Sequence, residues 1–211
     1  MLLTVKNFFN LSTCEHGELF ENVSMVWEPL KKIEGYFQKK SFPHETKIPP
    51  GVYVENEKMV FLEKNAVIEP GCFIRGPCII GSGTRICFGA YLREFVVVGK
   101  NCVVGHGSEV KNSILMDGVH LPHFNYVGNS ILGNGAHLGA GAICANLRLD
   151  GKTVKVFYEG EKIDTGLRKL GVIMGDGAQM GCNSVANPGS FFLPKSMCAP
   201  LVSVKGIIHT R

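Results

Sequence analysis

The sequence has little of what membrane or nucleic-acid-binding proteins need. Tryptophan occurs once, at Trp27, and charged residues make up only 19% of the 211-residue chain. No apolar run approaches the length of about 18 residues that a membrane-spanning helix requires, so we expect no membrane partner. The formal net charge of +4 is mild and fits anionic ligands such as phosphates better than a nucleic-acid footprint, so we expect no nucleic-acid partner either.

The eight cysteines follow no pattern that is typical of metal sites or disulfides. No Cys-x-x-Cys pair occurs, and no segment before them has the character of a secretory signal. Free thiols are typical of a reducing compartment. The sequence therefore predicts a cytoplasmic protein without a metal centre.

Glycine is abundant, at 26 residues, and an internal repeat accounts for this abundance. Between about Leu62 and Val204 an aliphatic residue recurs at every sixth position, with a small residue two positions before it. A period of six is neither helical nor a simple strand alternation. It fits a short strand followed by a corner, three of which close one coil of a triangular prism. The predicted fold class is therefore all-β, a parallel β-helix of hexapeptide repeats.

The same repeat explains most of the cysteines. Cys72, Cys78 and Cys102 stand at the small inward position, and Cys144 and Cys198 stand at the aliphatic one. Thiols at such positions behave as small apolar core groups, so we expect no nucleophile or metal ligand among these five.

Two regions depart from the repeat. Residues 1–50 are predicted to form an N-terminal arm, with an amphipathic helix at about 28–39 and a proline-containing linker at 41–51. We expect the helix to dock on the first coil or on a neighbouring subunit. Residues 51–211 form the β-helix domain, which an insertion interrupts at 147–171.

The insertion is predicted to contain a hairpin. Its sequence alternates like a strand from Thr153 to Tyr158 and can turn back at Glu159-Gly160. Loops that leave a solenoid often carry function, but a merely solvated hairpin would have a similar composition. The insertion is basic, with Arg148, Lys152, Lys155, Lys162, Arg168 and Lys169.

A break in the repeat marks a candidate catalytic residue. The phase slips by one residue at His123, within LPHFNYVG. An imidazole titrates near neutrality and can accept a proton from an amine or hydroxyl nucleophile. Glu109 and Lys111, on the preceding coil, can orient this base and bind an anion. Exposed corner residues without a role would look the same in the sequence.

The run LPHFNYVGNSILGNGAHLGAGAICANLR, with DGKTVKV and TGLRKLG after it, resembles a known family. It is similar to the acetyltransferase domain of the bifunctional glucosamine-1-phosphate N-acetyltransferase/UDP-N-acetylglucosamine pyrophosphorylases, and closest to their archaeal-type sugar-1-phosphate branch. The resemblance covers about residues 60–205. It implies a left-handed β-helix and a homotrimer with active sites between subunits. It also implies acetyl transfer from acetyl-CoA to the amine of glucosamine 1-phosphate, for UDP-N-acetylglucosamine synthesis.

The resemblance also assigns roles to individual residues. His123 matches the general base, Asn146 the asparagine that orients the amine and the acetyl group, and Glu109 the acidic member of a Glu-x-Lys pair. Ala140 falls where a backbone amide contacts the acyl carbonyl, and Cys182 and Ala199 are further expected acetyl-CoA contacts. The residues implied to bind the sugar phosphate are Arg93, Lys111, Tyr126, His137, Lys152 and Lys155.

Three departures from the family stand out. His137 replaces an asparagine that contacts the sugar, Phe191, Phe192 and Pro200 replace small residues in the last coils, and the nucleotidyltransferase domain does not precede this sequence. A glycine-rich stretch, Gly81-Ser82-Gly83-Thr84, mimics a nucleotide-binding signature of that domain. It lies in register with the repeat, so we interpret it as a prism corner.

Other functions remain open at the level of the sequence. A hexapeptide enzyme that acylates a hydroxyl group is the nearest alternative, followed by a non-catalytic β-helix subunit. A zinc-dependent carbonic anhydrase with His106, His120 and His123 as ligands is a third, although the spacing of these histidines is poor.

Overall fold

The computed structural model describes residues 3–39 and 45–209, and the strands in these ranges wind into a prism. Three parallel sheets form its sides, and successive strands along the chain pass from one sheet to the next. The predicted fold class, a parallel β-helix with a short helical extension and an inserted hairpin, is confirmed. Part of the predicted linker, residues 40–44, lies outside the described residues.

We name the sides sheets A, B and C in the order in which the chain meets them. The strands of sheet A are Tyr53–Glu55, Phe73–Arg75, Tyr91–Leu92, Glu109–Lys111, Tyr126–Gly128, Ile143–Cys144, Val185–Ala186 and Ser203–Val204. Those of sheet B are Val60–Leu62, Cys78–Ile80, Val96–Val98, Ser113–Leu115, Ile131–Leu132, Val172–Met174, Ser190–Phe192 and Ile207–Ile208. Those of sheet C are Val67–Ile68, Arg85–Ile86, Val103–His106, His120–His123, His137–Leu138, Gln179–Met180 and Met197–Cys198.

The interior of the prism is filled by the aliphatic residues of the repeat. In register from coil to coil, Leu92, Val110 and Val127 stack on one another and are all fully buried. Cys72, Cys78, Cys102 and Cys144 lie in the same core, and burial raises their pKa values. The prediction of core thiols is confirmed for these four, whereas Cys198, in the last coils, is only partly buried.

A second hydrophobic core lies outside the prism, against the outer face of sheet B. The N-terminal region covers this face with an α-helix at Pro29–Lys39 and with 3-10 turns at Val5–Asn7 and Gly17–Phe20. Trp27 and Phe8 pack against Phe191, at ring-centroid distances of 5.8 and 6.2 Å. The N-terminal region as a whole therefore covers this face, and its helix reaches beyond the first coil, since Phe37 packs against Phe95 at a ring-centroid distance of 6.4 Å.

The insertion leaves sheet A after Asn146 and returns to sheet B at Val172. It contains the predicted hairpin, with antiparallel strands Lys155–Tyr158 and Glu161–Asp164. Val154, Val156 and Leu170 anchor it in the second core. At its base, the Leu170 N–H donates to the Asn146 carbonyl (3.0 Å) and the Gly171 N–H to the Asn129 carbonyl (2.8 Å).

Candidate active site

His123 is exposed at the corner between sheets C and A, the corner that the phase slip had indicated. Its carbonyl accepts the Gly141 N–H (3.0 Å), the Ala140 carbonyl accepts the Asn183 N–H (2.8 Å), and the Cys182 carbonyl accepts the Leu201 N–H (2.9 Å). This repeated bond places His123, Ala140 and Cys182 above one another on successive coils. Ala199 lies on the next coil at the same corner. Pro200 is the residue in register with Cys182, so His123, Ala140 and Cys182 form one column and Ala199 lies one residue before it.

A second group of predicted residues lies on the outer face of sheet A. Arg93 Nη1 is 3.1 Å from Glu109 Oε1, and Lys111 follows two residues after Glu109 on the same strand. Burial lowers the pKa of Lys111, and the nearby charges of Arg93 and Lys169 lower it further. Two cations held this close favour an anionic ligand, which would relieve their mutual repulsion. In the described chain Glu109 contacts Arg93 and not His123.

Tyr126 and Asn146 extend this face by one and two coils. Glu109, Tyr126 and Ile143 are in register on successive strands, and Asn146 follows at the far edge of the sheet. Asn146 is buried, and its Nδ2 donates to Asn129 Oδ1 at 2.7 Å. Burial raises the pKa of Tyr126, with a smaller contribution from Glu109, whereas a hydrogen bond with Asn146 lowers it. The net shift keeps the phenol protonated and able to donate.

The predicted residues Lys152 and Lys155 lie apart from this group. Lys155 Nζ is 3.5 Å from Asp164 Oδ2 within the hairpin, and Lys152 is exposed on the loop before it. Lys155 lines a cleft of about 480 Å³ together with Arg148 and Lys205. Arg148 is paired with Asp150 in a bidentate ion pair, at 2.6 and 2.8 Å.

His137 lies on sheet C, on the strand that pairs with His120–His123, and it contributes to neither group. It is in register with His120, at a ring-centroid distance of 6.2 Å. Burial lowers the pKa of His137, and the neighbouring His120 lowers it further. In the last coils Phe191 points into the second core and Phe192 into the prism, so these two residues have a packing role.

The structure thus assembles two groups and leaves three residues outside them. The first group, His123 with the three expected acetyl-CoA contacts, lies at the corner before the strands of sheet A. The second group occupies the outer face of sheet A and the corner after its strands, and consists of Arg93, Glu109, Lys111, Tyr126 and Asn146. Sequence reasoning missed Asn129 and the proximity of Lys169 to Lys111. Asn129 stands at the same corner of the repeat as Asn146, one coil earlier, and that coincidence was visible in the sequence.

The histidines of the zinc hypothesis are placed as follows. His106 and His123 are in register, and His106 Nδ1 lies 2.8 Å from the Phe88 carbonyl. Within residues 3–39 and 45–209, no cluster of three or more His, Cys, Asp or Glu side chains has a geometry that could hold a metal ion. Nor does any helix in these ranges have the length and apolar character that crossing a membrane requires.

The fold and this arrangement of residues define a hexapeptide β-helix with a polar, cation-bearing face. Residues 74–161 match the family model described as the GMPPB C-terminal domain. The chain is also 40% identical over 130 residues to a bifunctional sugar-1-phosphate nucleotidylyltransferase/acetyltransferase of Sulfurisphaera tokodaii. This match covers 62% of this chain and 32% of that protein. It is 36% identical over 170 residues to the bifunctional protein GlmU of Methanocaldococcus jannaschii. This match covers 81% of this chain and 41% of that protein.

These similarities confirm the resemblance that the sequence motifs indicated. The chain spans less than half the length of the curated relatives that it matches. Among solved structures, the acetyltransferase domain of PglB from Neisseria gonorrhoeae covers 66% of this chain and 54% of its own, with 17% sequence identity and a TM-score of 0.40.

Proposed function

We propose that this protein is a cytoplasmic acetyltransferase that moves the acetyl group of acetyl-CoA to the 2-amine of glucosamine 1-phosphate. The observation that carries the proposal is the outer face of sheet A. There two cations, Arg93 and Lys111, lie beside the hydrogen-bonded pair of Tyr126 and Asn146. Cations next to neutral hydrogen-bonding groups are what a phosphorylated amino sugar requires.

In the proposed reaction His123 accepts a proton from the ammonium group of the sugar, and the free amine attacks the thioester carbonyl. A C–N bond forms, and the C–S bond breaks when the tetrahedral intermediate collapses. The nitrogen gives its second proton to the departing coenzyme A thiolate, and His123 releases the first proton to solvent. A backbone N–H at Ala140 stabilises the oxyanion of the tetrahedral intermediate. The products are N-acetylglucosamine 1-phosphate and free coenzyme A.

A homotrimer is part of the proposal. In one chain His123 lies at the corner before the strands of sheet A, whereas Arg93 and Lys111 lie on the outer face of that sheet. A site at a subunit interface would bring the two groups together. Lys152 and Lys155 in the exposed loop and hairpin would then contribute to phosphate binding from a neighbouring copy.

The test is thiol release from acetyl-CoA with glucosamine 1-phosphate as acceptor. We expect the wild-type protein to turn over and His123→Ala to lose about 100- to 10,000-fold in kcat, the contribution of a general base. His106→Ala is the matched control, because His106 occupies the same corner one coil earlier and is also exposed. It should keep its rate within a few-fold.

Acceptor chemistry separates the alternatives. Release of thiol with glucose 1-phosphate but not with glucosamine 1-phosphate would favour the enzyme that acylates hydroxyl groups. No release with any amino-sugar phosphate would contradict the proposal and favour a non-catalytic subunit. A wild-type rate in His123→Ala would remove this histidine from the mechanism.

A further inference from the structure

The corner that carries Asn146 holds an asparagine on three successive coils: Asn112, Asn129 and Asn146. Asn129 has a φ of 49°, a left-handed conformation that asparagine tolerates better than most residues. Its N–H donates to the Lys111 carbonyl (3.0 Å) and its carbonyl accepts the Gly171 N–H (2.8 Å). The side chain of Asn129 is therefore projected from a backbone that is held on both sides.

The Asn129 side chain reaches the functional residue on the next coil. Asn146 Nδ2 donates to Asn129 Oδ1 at 2.7 Å, and both side chains are buried. The hydroxyl group of Tyr126 is the second partner of the Asn146 amide. A primary amide has two N–H donors, enough to serve both partners.

Gly128 makes this arrangement possible. A Cβ built on Gly128 would lie 2.5 Å from Asn146 Nδ2 and 2.7 Å from the Tyr126 hydroxyl oxygen, closer than atoms can approach. The two side chains therefore meet over a residue without a side chain. No described residue donates a hydrogen bond to Asn146 Oδ1, so this oxygen can accept one from a ligand.

We infer that Asn129 is a positioning residue that fixes the orientation of the Asn146 amide. With Nδ2 held by Asn129, Oδ1 faces the site and accepts an N–H from the acceptor amine, which directs the nitrogen lone pair at the acyl carbon. Without Asn129 the Asn146 amide can rotate by half a turn, and its NH2 group would then face the N–H of the acceptor amine, so that no hydrogen bond could form. This assignment rests on the proposed acetyl transfer and adds to it a residue that does not contact the substrate.

The test compares Asn129→Gly with two other variants in the thiol-release assay, using the full-length protein. Glycine tolerates the positive φ and removes only the acceptor for Asn146 Nδ2. Asn129→Asp keeps an acceptor oxygen at the same place. Asn112→Gly is the matched control, because Asn112 has a φ of 42° at the same corner one coil earlier. Trp27 fluorescence and thermal unfolding verify that each variant folds.

We expect Asn129→Gly to lower kcat by about 10- to 100-fold, the usual effect of misplacing a reacting group by about 1 Å. The KM for glucosamine 1-phosphate should change less than threefold, since Arg93 and Lys111 are untouched. Asn129→Asp should recover most of kcat, and Asn112→Gly should stay near wild type. A crystal structure of Asn129→Gly should show the Asn146 amide displaced or rotated.

Three results would overturn the assignment. Equal kcat values for Asn129→Gly, Asn112→Gly and wild type would remove Asn129 from the mechanism while leaving the proposed function intact. A change confined to KM would assign Asn129 to binding. No thiol release by the wild-type protein would overturn the proposed function and this assignment with it. If Asn129→Gly does not fold, Asn129→Ser takes its place, because its shorter side chain also leaves Asn146 Nδ2 without its acceptor.

Discussion

Sheets A and B are built from the same six-residue repeat, yet their outer faces meet different surroundings. On sheet B one apolar side chain per coil points outward into the second core under the N-terminal region and the insertion. On sheet A most outward positions hold polar, charged or aromatic side chains, with Ile143 and Val185 as aliphatic exceptions, and these side chains remain at least partly exposed. The outward residues of sheet B are Phe61, Ile79, Val97, Ile114, Ile131, Ile173 and Phe191.

The difference shows that the inward positions determine the prism and the outward positions determine the use of each side. Burying an aliphatic or aromatic side chain contributes about 1.5–3 kcal/mol, so sheet B is a stabilising face. Sheet A forgoes that contribution on its outer side. Under the proposed function its outward groups instead hold an anion and an amine.

The largest expected effect separates the two faces by stability. Phe191→Ala removes a fully buried ring that packs against Phe8 and Trp27, and we expect a loss of about 3–5 kcal/mol in the free energy of unfolding. Phe73→Ala, on the partly exposed face of sheet A, should cost about 1 kcal/mol, since Phe73 mainly stacks on Tyr91. Denaturant unfolding followed by the fluorescence of Trp27 measures both. Equal losses would mean that the second core adds no stability.

The next effect concerns activity on sheet A. In Gly128→Ala the new methyl group would collide with Asn146 Nδ2 and the Tyr126 hydroxyl, so we expect kcat for thiol release to fall by about 100-fold. Gly35→Ala, in the helix, is the control, because a Cβ there meets no atom within 4 Å apart from the adjacent residues and the backbone of its own helix. That variant should keep full activity and gain up to about 1 kcal/mol in stability. An active Gly128→Ala would show that the two side chains can separate without harm.

The smallest expected effect is a pH dependence of acceptor binding. Because the pKa of Lys111 is lowered, its ammonium loses its proton at a lower pH than the ordinary value of 10.5. The KM for glucosamine 1-phosphate should therefore rise, by a few-fold, as the pH approaches this lowered value from neutrality. In Lys111→Arg the guanidinium remains charged, so the rise should move to higher pH. The same alkaline rise in both proteins would assign it to another group.

Much of this comparison was accessible from the sequence. The six-residue repeat predicted which residues point into the prism, the corner at His123 and the inserted hairpin. Each of these depends on local periodicity or on its interruption. The covering of sheet B was missed, although its outward residues are apolar once per coil from Phe61 to Phe191. A partner for that face had to come from residues far away in the chain, and periodicity does not identify such a partner.

The same limit applies to the site. Motifs indicated Asn146 and Tyr126 one at a time, whereas their convergence over Gly128 depends on how neighbouring coils stack. The pairing of Glu109 with Arg93 likewise depends on the register between strands. Contacts between neighbouring coils can be identified only once the strands are placed in register in the structure. The clearest case is Asn129, whose side chain contacts Asn146 on the next coil.

The base of the insertion has a consequence for how such a protein can change over time. Backbone hydrogen bonds from Leu170 and Gly171, with the bridge between Leu147 and Lys169, bring the chain back to the point that it left. The coil is thus closed independently of what lies between these residues. A loop of another length or charge could be exchanged there without shifting the register of any sheet. Asn146 lies beside this joint and outside the exchangeable loop, so under the proposed function new substrate preferences could arise while the position of Asn146 stays unchanged.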